Sequence, residues 1–242
     1  MSGSQISVDG DVVEKLHRVG TDPRALRRRL RVAVGSAALA TPLTTEPEPV
    51  GDRWLTRWPR LEMVAPDPAA RLPWADAGEL LAHLHSEPLG DLVLPHGGPA
   101  RLGRAVARLG HGPNAESIRR AAAGVDQTNA PNRPMTLVHG DFHLGQLGRS
   151  EGRWQLIDID DLGVGDPAWD LARPAGFWAA GLLPDADWHR FLDGYRGAAG
   201  PAIPSSGDPW PVLESVARTA VVAAAANHPD DALLVAACAR MG

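Results

Sequence analysis

The sequence contains almost no cysteine and no long hydrophobic run. Cys238 is the only cysteine among 242 residues, which excludes an intrachain disulfide. No apolar run reaches the roughly 18 residues that a membrane-spanning helix needs. No early segment combines a basic start with an apolar core, as a secretory leader would. We therefore expect a cytoplasmic protein that has no membrane partner.

Acidic residues outnumber basic ones, and lysine occurs only once. The net charge is −5, whereas proteins that bind nucleic acids usually present a basic face to the phosphates. This composition disfavours a nucleic-acid partner and fits a small ligand that is cationic or neutral. Lys15 is the only lysine beside 23 arginines, so this position is of special interest.

The chain divides into a β-rich beginning and a helical remainder. Two β-rich runs in residues 5–18 flank Asp9-Gly10, a dipeptide typical of a two-residue hairpin turn, and Lys15 lies on the second run. An amphipathic helix is predicted over 21–34, with Asp22 as its N-cap. Two more strands are predicted around a turn near 48–52. A proline-rich connector, 59–73, indicates a boundary near residue 60, with domains 1–60 and 61–242.

The second part is mainly helical, which makes the predicted class α+β. Two short strands interrupt the helices, at 135–139 and 153–159. The spacing of apolar residues predicts helices over 74–86, 99–109, 114–123, 167–181, 185–198, 210–227 and 230–240.

Each of these two strands ends in a cluster of polar residues. "HGDFHLGQ" (139–146) follows the first strand, and the second runs into "IDIDD" (157–161). If the two strands pair as a hairpin, Asp141 and Asp158 lie on neighbouring loops at one edge. Carboxylates together with the amide oxygen of Gln146 suit a hard cation such as Mg²⁺. Two alternatives stay open: a solvated acidic turn, and a zinc or iron site.

The zinc or iron alternative uses an alternating row of side chains. His139, Asp141 and His143 would supply it, together with Asp158 or Asp160. Gly140 and the Leu-Gly pair after His143 indicate a loop rather than a straight strand. A buried His139 that bonds to the loop backbone is therefore favoured over a metal ligand.

The two clusters together resemble a known family. "LVHGDFHLGQ" followed by "LIDIDDLGVGDPAWDLA" is similar to the signature of the aminoglycoside phosphotransferase and choline kinase-like family, over residues 137–172. The "HGDxHLGQ" form resembles the maltokinase and glucosamine kinase branches. The resemblance implies a protein-kinase-like bilobal fold, ATP as co-substrate, Mg²⁺, and a small-molecule hydroxyl group as acceptor.

The resemblance also assigns roles to residues of this sequence. It implies that Asp141 is the catalytic aspartate, which orients the acceptor hydroxyl and takes its proton. Asp158 and Gln146 match the magnesium ligands, although most members of the family have asparagine in place of Gln146. Three supporting positions follow: Asp160 for a second ion or a loop hydrogen bond, and Asp170 and His139 as braces of the catalytic loop. His143 has no assigned role and is placed near the acceptor.

The resemblance is weakest in the first sixty residues. Lys15 matches the nucleotide-binding lysine, but only fourteen residues precede it, which we interpret as too few for the hairpin that covers the phosphates. No glutamate occurs between Glu14 and Glu46, so the usual partner of the lysine is missing. An arginine among 27–31 could reach a phosphate instead. We predict a truncated N-terminal lobe, and a homodimer is one way to complete it.

Two functions therefore remain open at this stage. The first is an ATP-dependent kinase for a hydroxylated small molecule, such as an aminoglycoside, a sugar or an amino alcohol. The second is a pseudokinase that binds its ligand without turnover, which the truncated lobe favours. Four aspartates could line a pocket for a cationic acceptor: Asp166, Asp185, Asp187 and Asp193.

Overall fold

The structure, a computed structural model, describes residues 3–64, 72–89, 93–125 and 132–241. Residues 65–71 of the predicted connector lie outside this part. The strands are β1 (Gln5–Asp9), β2 (Val12–Leu16), β3 (Glu48–Val50), β4 (Arg53–Pro59), β5 (Glu62–Met63), β6 (Thr136–Val138), β7 (Leu147–Ser150), β8 (Arg153–Leu156) and β9 (Gly163–Gly165). The helices are α1 (Pro23–Gly35), α2 (Trp74–Ser86), α3 (Gly98–Val106), α4 (Pro113–Ala123), α5 (Ala168–Ala179), α6 (Asp185–Gly197), α7 (Trp210–Asn227) and α8 (Ala232–Ala239).

The first four strands form one antiparallel sheet in the order β1-β2-β4-β3. Asp9 pairs with Val12, so the turn residues are Gly10 and Asp11, one position later than the sequence predicts. Gly10 takes a positive φ of 56°, which glycine adopts at little cost. Lys15 lies opposite Thr56 on the central strand β4, and this pairing fixes the lysine in the middle of the sheet.

Helix α1 follows this hairpin as predicted. The side chain of Asp22 accepts a hydrogen bond from the backbone N–H of Arg24, and Pro23 occupies the first helical position. Leu26 and Leu30 are fully buried beneath it. The helix therefore packs through the apolar stripe that its sequence period indicates.

The predicted pairing of 135–139 with 153–159 is wrong. β8 pairs instead with β7, and β6 pairs with β9. Glu151 and Gly152 both have positive φ, which closes β7 and β8 in a two-residue hairpin turn. A loop this short costs little closure entropy, so the local pairing is favoured over the more distant one.

The two halves of the chain are joined by backbone hydrogen bonds beside β8. The N–H of Ala40 donates to Leu156 O and the N–H of Leu156 donates to Ala38 O, each at 2.8 Å. β5 adds to the other side of this region by pairing with β7. The end of β8, where "IDIDD" begins, is thereby held against the segment between α1 and β3.

The helices bury two apolar clusters. The larger one joins α1, α2, α5 and α6 and includes Trp188, Phe191 and Tyr195, while the smaller one joins α3, α4, α7 and α8. In the described part of the chain, no helix has the length and apolar character that crossing a membrane requires.

Candidate active site

One buried carboxylate holds the loop after β6 through hydrogen bonds to its backbone. Asp170, at the start of α5, is fully buried and accepts hydrogen bonds from the backbone N–H groups of His139 at 2.7 Å and Gly140 at 2.8 Å. His139 is buried too, and its Nε2 lies 2.7 Å from Ile157 O. Asp170 and His139 thus sit where the predicted braces of the catalytic loop would be.

A histidine that the sequence analysis did not identify completes this network. His85 on α2 lies with Nε2 3.0 Å from Asp170 Oδ2 and Nδ1 2.8 Å from the Tyr195 hydroxyl. Burial opposes the charge of Asp170, but His85, His139 and the Gly140 N–H outweigh it, and the pKa of Asp170 is lowered. The sequence signal of His85 is weak, because a histidine on the apolar face of a helix resembles any other core residue.

Gly140 is required by close packing as well as by backbone conformation. Its φ is +84°, and a Cβ built there would lie 2.4 Å from the backbone oxygen of Asp161. Any larger residue would therefore push the "HGD" loop away from "IDIDD". The glycine lets the loops that carry Asp141 and Asp158 approach each other.

His143 has a structural role in this loop. Its Nδ1 accepts a hydrogen bond from the Gly145 N–H at 3.1 Å, which caps a short 3₁₀ helix over Leu144–Gln146. Burial, followed by the neighbouring Arg173, lowers the pKa of His143 to about 4. The neutral ring is the form that can accept this bond, and the cap fixes the start of the turn that carries Gln146.

We expect His143 to make stability depend on pH. Because the pKa falls from 6.5 in the unfolded chain to about 4 in the folded protein, its contribution is present above pH 6.5 and is lost as the pH falls towards 4. At about pH 4.5 the loss should be about 1–2 kcal/mol for this half-buried ring. Urea unfolding of wild type and His143→Asn at about pH 7 and pH 4.5 measures it, since asparagine caps without titrating.

The matched control is His189→Asn, which removes an exposed histidine. It should keep the full pH dependence of the wild type. An equal loss of stability in His143→Asn and wild type between the two pH values would contradict the role assigned to this ring.

Asp158 projects from a strained backbone position. It adopts a left-handed conformation with φ 61° and ψ 76°, and its side chain accepts from the Asp160 N–H at 3.3 Å. Residues other than glycine take this conformation at a cost of about 1–3 kcal/mol, and such residues concentrate at functional sites. The side chain is 38% exposed, so its oxygens remain accessible from the cleft.

The carboxylates after β8 are the ion-pair partners of Lys15. Lys15 Nζ lies 2.6 Å from Asp158 Oδ1 and 3.0 Å from Asp160 Oδ2. Burial opposes the charge of Lys15, but Asp160 and Asp158 outweigh it, and the pKa of Lys15 is raised. The predicted nucleotide-binding lysine and the predicted metal ligand therefore meet in one ion pair.

Asp160 is held by a second group from the first sheet. His17 Nδ1 lies 3.0 Å from Asp160 Oδ1, while its Nε2 lies 2.9 Å from Thr56 Oγ1. Burial raises the pKa of Asp160, but His17 and Lys15 together lower it well below the usual range. His17 directly follows β2, two residues after Lys15, and the alternation of an extended chain places both side chains on one face.

Three arginines of α1 have partners outside this cluster. Arg27 and Arg31 pair with Glu46 on the surface, and Arg29 donates to the backbone oxygen of Leu162 at 2.8 Å. The prediction that one of them reaches a phosphate gains no support.

Asp141 is engaged by two arginines that the sequence analysis did not single out. Arg101 Nη1 on α3 lies 2.7 Å from Asp141 Oδ2 and 2.6 Å from Asp161 Oδ2, and Arg173 Nη2 lies 3.9 Å from Asp141 Oδ1. Burial raises the pKa of Asp141, and Arg101 and Arg173 oppose that shift. The pKa of Asp141 is raised overall, and the two arginines place positive charge beside its carboxylate, which is the form that accepts a proton.

Two cavities meet at these residues. An apolar cavity of about 390 Å³ lies under the first sheet, between residues such as Val13, Trp58 and Ile157, and has Lys15, Gln146, Asp158 and Asp160 at one end. A polar cavity of about 660 Å³ contains Asp141. Asp158 and Asp160 line both, so a molecule in one would contact a molecule in the other at this point.

The alternating metal row does not form. Both ring nitrogens of His139 face backbone groups, and Nδ1 of His143 caps the 3₁₀ helix. Across the described ranges, no three histidine, cysteine, aspartate or glutamate side chains converge as a metal site. Asp158 and the amide of Gln146 still provide two oxygen ligands of the kind that magnesium uses when phosphate oxygens and waters supply the others.

Solved structures with a similar fold are small-molecule kinases by name. A spectinomycin phosphotransferase in complex with ADP and spectinomycin is 15% identical, with a TM-score of 0.62 over 98% of this chain and 81% of the other. A choline/ethanolamine kinase family protein from Mesorhizobium loti is 16% identical, with a TM-score of 0.55 over 99% and 90%. These likenesses confirm the predicted α+β, kinase-like fold.

A third structure has a similar score. It is an amicoumacin kinase in complex with AMP-PNP, Ca²⁺ and Ami, 14% identical, with a TM-score of 0.60 over 98% of this chain and 86% of the other. No curated protein sequence matches the chain. The model of the phosphotransferase enzyme family (APH) matches residues 46–214, well over half of the sequence, and spans both polar clusters. The chain belongs to the phosphotransferase enzyme family.

Proposed function

We propose that this protein is a kinase that transfers the terminal phosphoryl group of ATP to a hydroxyl group of a small molecule. The observation that carries the proposal is the meeting of an apolar and a polar cavity at Asp158, with Lys15 on one side and Asp141 on the other. A phosphoryl transfer needs this arrangement, because its two substrates must be aligned across one reacting phosphorus.

The apolar cavity suits the nucleotide. Val13 of β2, Trp58 at the end of β4 and Ile157 after β8 line it from both sides, which gives a base ring apolar surface above and below. Lys15 lies at its polar end and stays charged, because its pKa is raised. ATP as co-substrate is supported by the ADP and AMP-PNP complexes of the similar structures.

Asp158 and Gln146 would hold the magnesium ion. Gln146 is buried in the 3₁₀ helix that His143 caps, and its side chain makes no hydrogen bond within the described residues, so its amide oxygen is available. When bound, Mg²⁺ supplies positive charge that offsets the charge of the phosphates. Lys15 pairs with Asp158 and Asp160, and its ammonium group would also attract a phosphate of the nucleotide.

Asp141 performs the chemistry on the acceptor side. Its carboxylate positions the acceptor hydroxyl and takes its proton while the oxygen of that hydroxyl forms a bond to the γ-phosphorus. The bond from the γ-phosphorus to the β–γ bridging oxygen breaks, and ADP leaves. Asp170 holds the backbone of the Asp141 loop in place through the N–H groups of His139 and Gly140.

Thermal denaturation with Mg-ATP tests the proposal. We expect Mg-ATP to raise the Tm of the wild type, and more so than ATP with EDTA, because Asp158 and Gln146 bind the metal–nucleotide complex. Asp158→Asn should lose most of the Mg-dependent increase, since a neutral amide binds Mg²⁺ much more weakly than a carboxylate. Asp193→Asn, an exposed change on α6, is the matched control and should behave like wild type.

Two results separate the candidate functions. If Mg-ATP neither raises the Tm of the wild type nor is slowly hydrolysed, the kinase proposal is wrong. If Mg-ATP binds, but a panel of hydroxylated metabolites and aminoglycosides gives no ADP above background, the pseudokinase is favoured.

A further inference from the structure

The polar cavity beside Asp141 is lined by four arginines. Arg101, Arg104 and Arg108 belong to α3 and the turn that follows it, and their spacing of three and four residues places them on one helical face. Arg18 approaches from the segment after β2. This clustering is unexpected in a chain whose net charge is −5.

These guanidinium groups have more charge than their neighbours neutralise. Arg101 is bonded to Asp141 and Asp161, but Arg104 reaches Asp161 only at 3.4 Å. Arg108 donates to a neutral oxygen, Asn227 Oδ1, at 2.9 Å. The side chain of Arg18 makes no hydrogen bond or ion pair in the described part of the chain.

The arginines also repel one another. Burial lowers the pKa of Arg104 first, Asp161 opposes that shift, and Arg18, Arg101 and Arg108 each lower the pKa further. All three are therefore close enough to Arg104 to disfavour its charge. An anion among them would relieve this repulsion and could bind in the bidentate manner that guanidinium groups favour.

The other carboxylates of this cavity pair with groups of the nucleotide side rather than with the arginines. Asp158 and Asp160 are bonded to Lys15, and Asp160 also faces His17. Both lie at the junction with the apolar cavity, on the side of the nucleotide. Of the four aspartates that line the cavity, only Asp141 and Asp161 are thus left to balance its four arginines.

The aspartates that the sequence suggested for a cationic acceptor lie elsewhere. Asp166 is paired with Arg133, Asp185 accepts from Trp178 Nε1, and Asp187 is paired with Arg190. Asp193 is exposed on α6. None of the four lines the polar cavity. The charges around Asp141 thus select against a cationic acceptor.

We infer that the acceptor carries an anionic group, a phosphate or a carboxylate, which Arg18, Arg104 and Arg108 bind while its hydroxyl group lies at Asp141. The inference rests on the proposed kinase function and specifies its substrate class. Arg101 lies between Asp141 and the other arginines, because it contacts Asp141 and precedes Arg104 by one helical turn. It is a positioning residue for the catalytic carboxylate.

A matched set of probes tests this inference by thermal denaturation at constant ionic strength. Glycerol 3-phosphate carries the anion, glycerol is its neutral counterpart, and 2-amino-1,3-propanediol is a cationic one. We expect glycerol 3-phosphate alone to raise the Tm of the wild type. The increase should add to that of Mg-AMP-PNP, because the two cavities hold separate ligands.

Charge removal shows whether the arginines are responsible. The double variant Arg104→Gln/Arg108→Gln should lose most of the increase caused by glycerol 3-phosphate and keep the increase caused by Mg-AMP-PNP. The double variant Arg153→Gln/Arg218→Gln removes the same charge from outside this cavity and should keep both increases.

Several results would overturn the inference. One is a Tm increase for glycerol 3-phosphate that is no larger than the increase for glycerol or 2-amino-1,3-propanediol. Another is an increase that survives in Arg104→Gln/Arg108→Gln. A third is a Tm increase from glycerol 3-phosphate that disappears when Mg-AMP-PNP is present. A fourth is that Arg104→Gln/Arg108→Gln loses only the Tm increase caused by Mg-AMP-PNP. In both cases the arginines would bind nucleotide phosphates. A wild type that fails to respond to Mg-AMP-PNP instead contradicts the kinase function itself.

Discussion

Asp141→Asn is expected to lower kcat by about 10²- to 10⁴-fold, because the amide cannot take the proton of the acceptor hydroxyl. Asp141 lines the polar cavity and not the apolar one, so the affinity for Mg-ATP should change little. The measurements are ADP release with an acceptor found by the screen, and the Tm increase caused by Mg-ATP. Loss of turnover with retained nucleotide binding is the expected combination.

The control for this variant is Asp193→Asn, which removes one exposed carboxylate and should keep wild-type turnover. A kcat for Asp141→Asn within a few-fold of the wild type would show that another group takes the proton. Loss of Mg-ATP binding would instead show that Asp141 belongs to the nucleotide site.

Asp170→Ala is expected to destabilise the fold by about 3–5 kcal/mol, since it removes one partner of a fully buried hydrogen-bonded network. The N–H groups of His139 and Gly140 lose their acceptor, and His85 loses one of its two partners. For a protein of this size the Tm should fall by roughly 10 °C. Urea unfolding and thermal denaturation measure the effect. Asp170→Asn keeps one acceptor oxygen, so its stability should lie between those of the wild type and Asp170→Ala.

Asp231→Ala is a matched control for this network. Asp231 also accepts from two backbone N–H groups, those of Leu233 and Leu234, but it does so at the exposed start of α8. Water can replace it there, so the cost should be about 1 kcal/mol. Equal losses for Asp170→Ala and Asp231→Ala would contradict a bracing role that depends on burial.

The elements that the sequence predicted well are those defined by local spacing. Helix α1 begins at Pro23 with Asp22 as its cap, and the first hairpin forms with Lys15 on its second strand. The strand pairing after β6 was predicted wrongly, because the run Leu147–Ser150 was not interpreted as a strand. The Glu151-Gly152 turn that pairs it with β8 was a local signal that could have shown this.

The residues of the candidate site also divide into those with a local sequence signal and those without one. The positions of Asp141, Gln146, Asp158 and Asp170 could be picked from their order and separation in two motifs. Their contacts could not, because His85, Arg101 and Lys15 come from other elements. Lys15 was predicted as a residue of the site, but it lies 143 residues before Asp158, and their pairing has no local signal. A spacing of arginines along one helical face was visible at 101, 104 and 108, yet on its own it fits an ordinary solvated helix.

The sequence by itself determined the local units of this protein: the capped helices, the first hairpin, and two loops rich in carboxylates. Those depend on turn, cap and periodicity rules that act over a few residues. Only the tertiary structure decided that Lys15 pairs with Asp158 and Asp160, and that Arg101 contacts Asp141. Such pairs depend on how distant elements pack, and packing brings charges together that no local pattern relates.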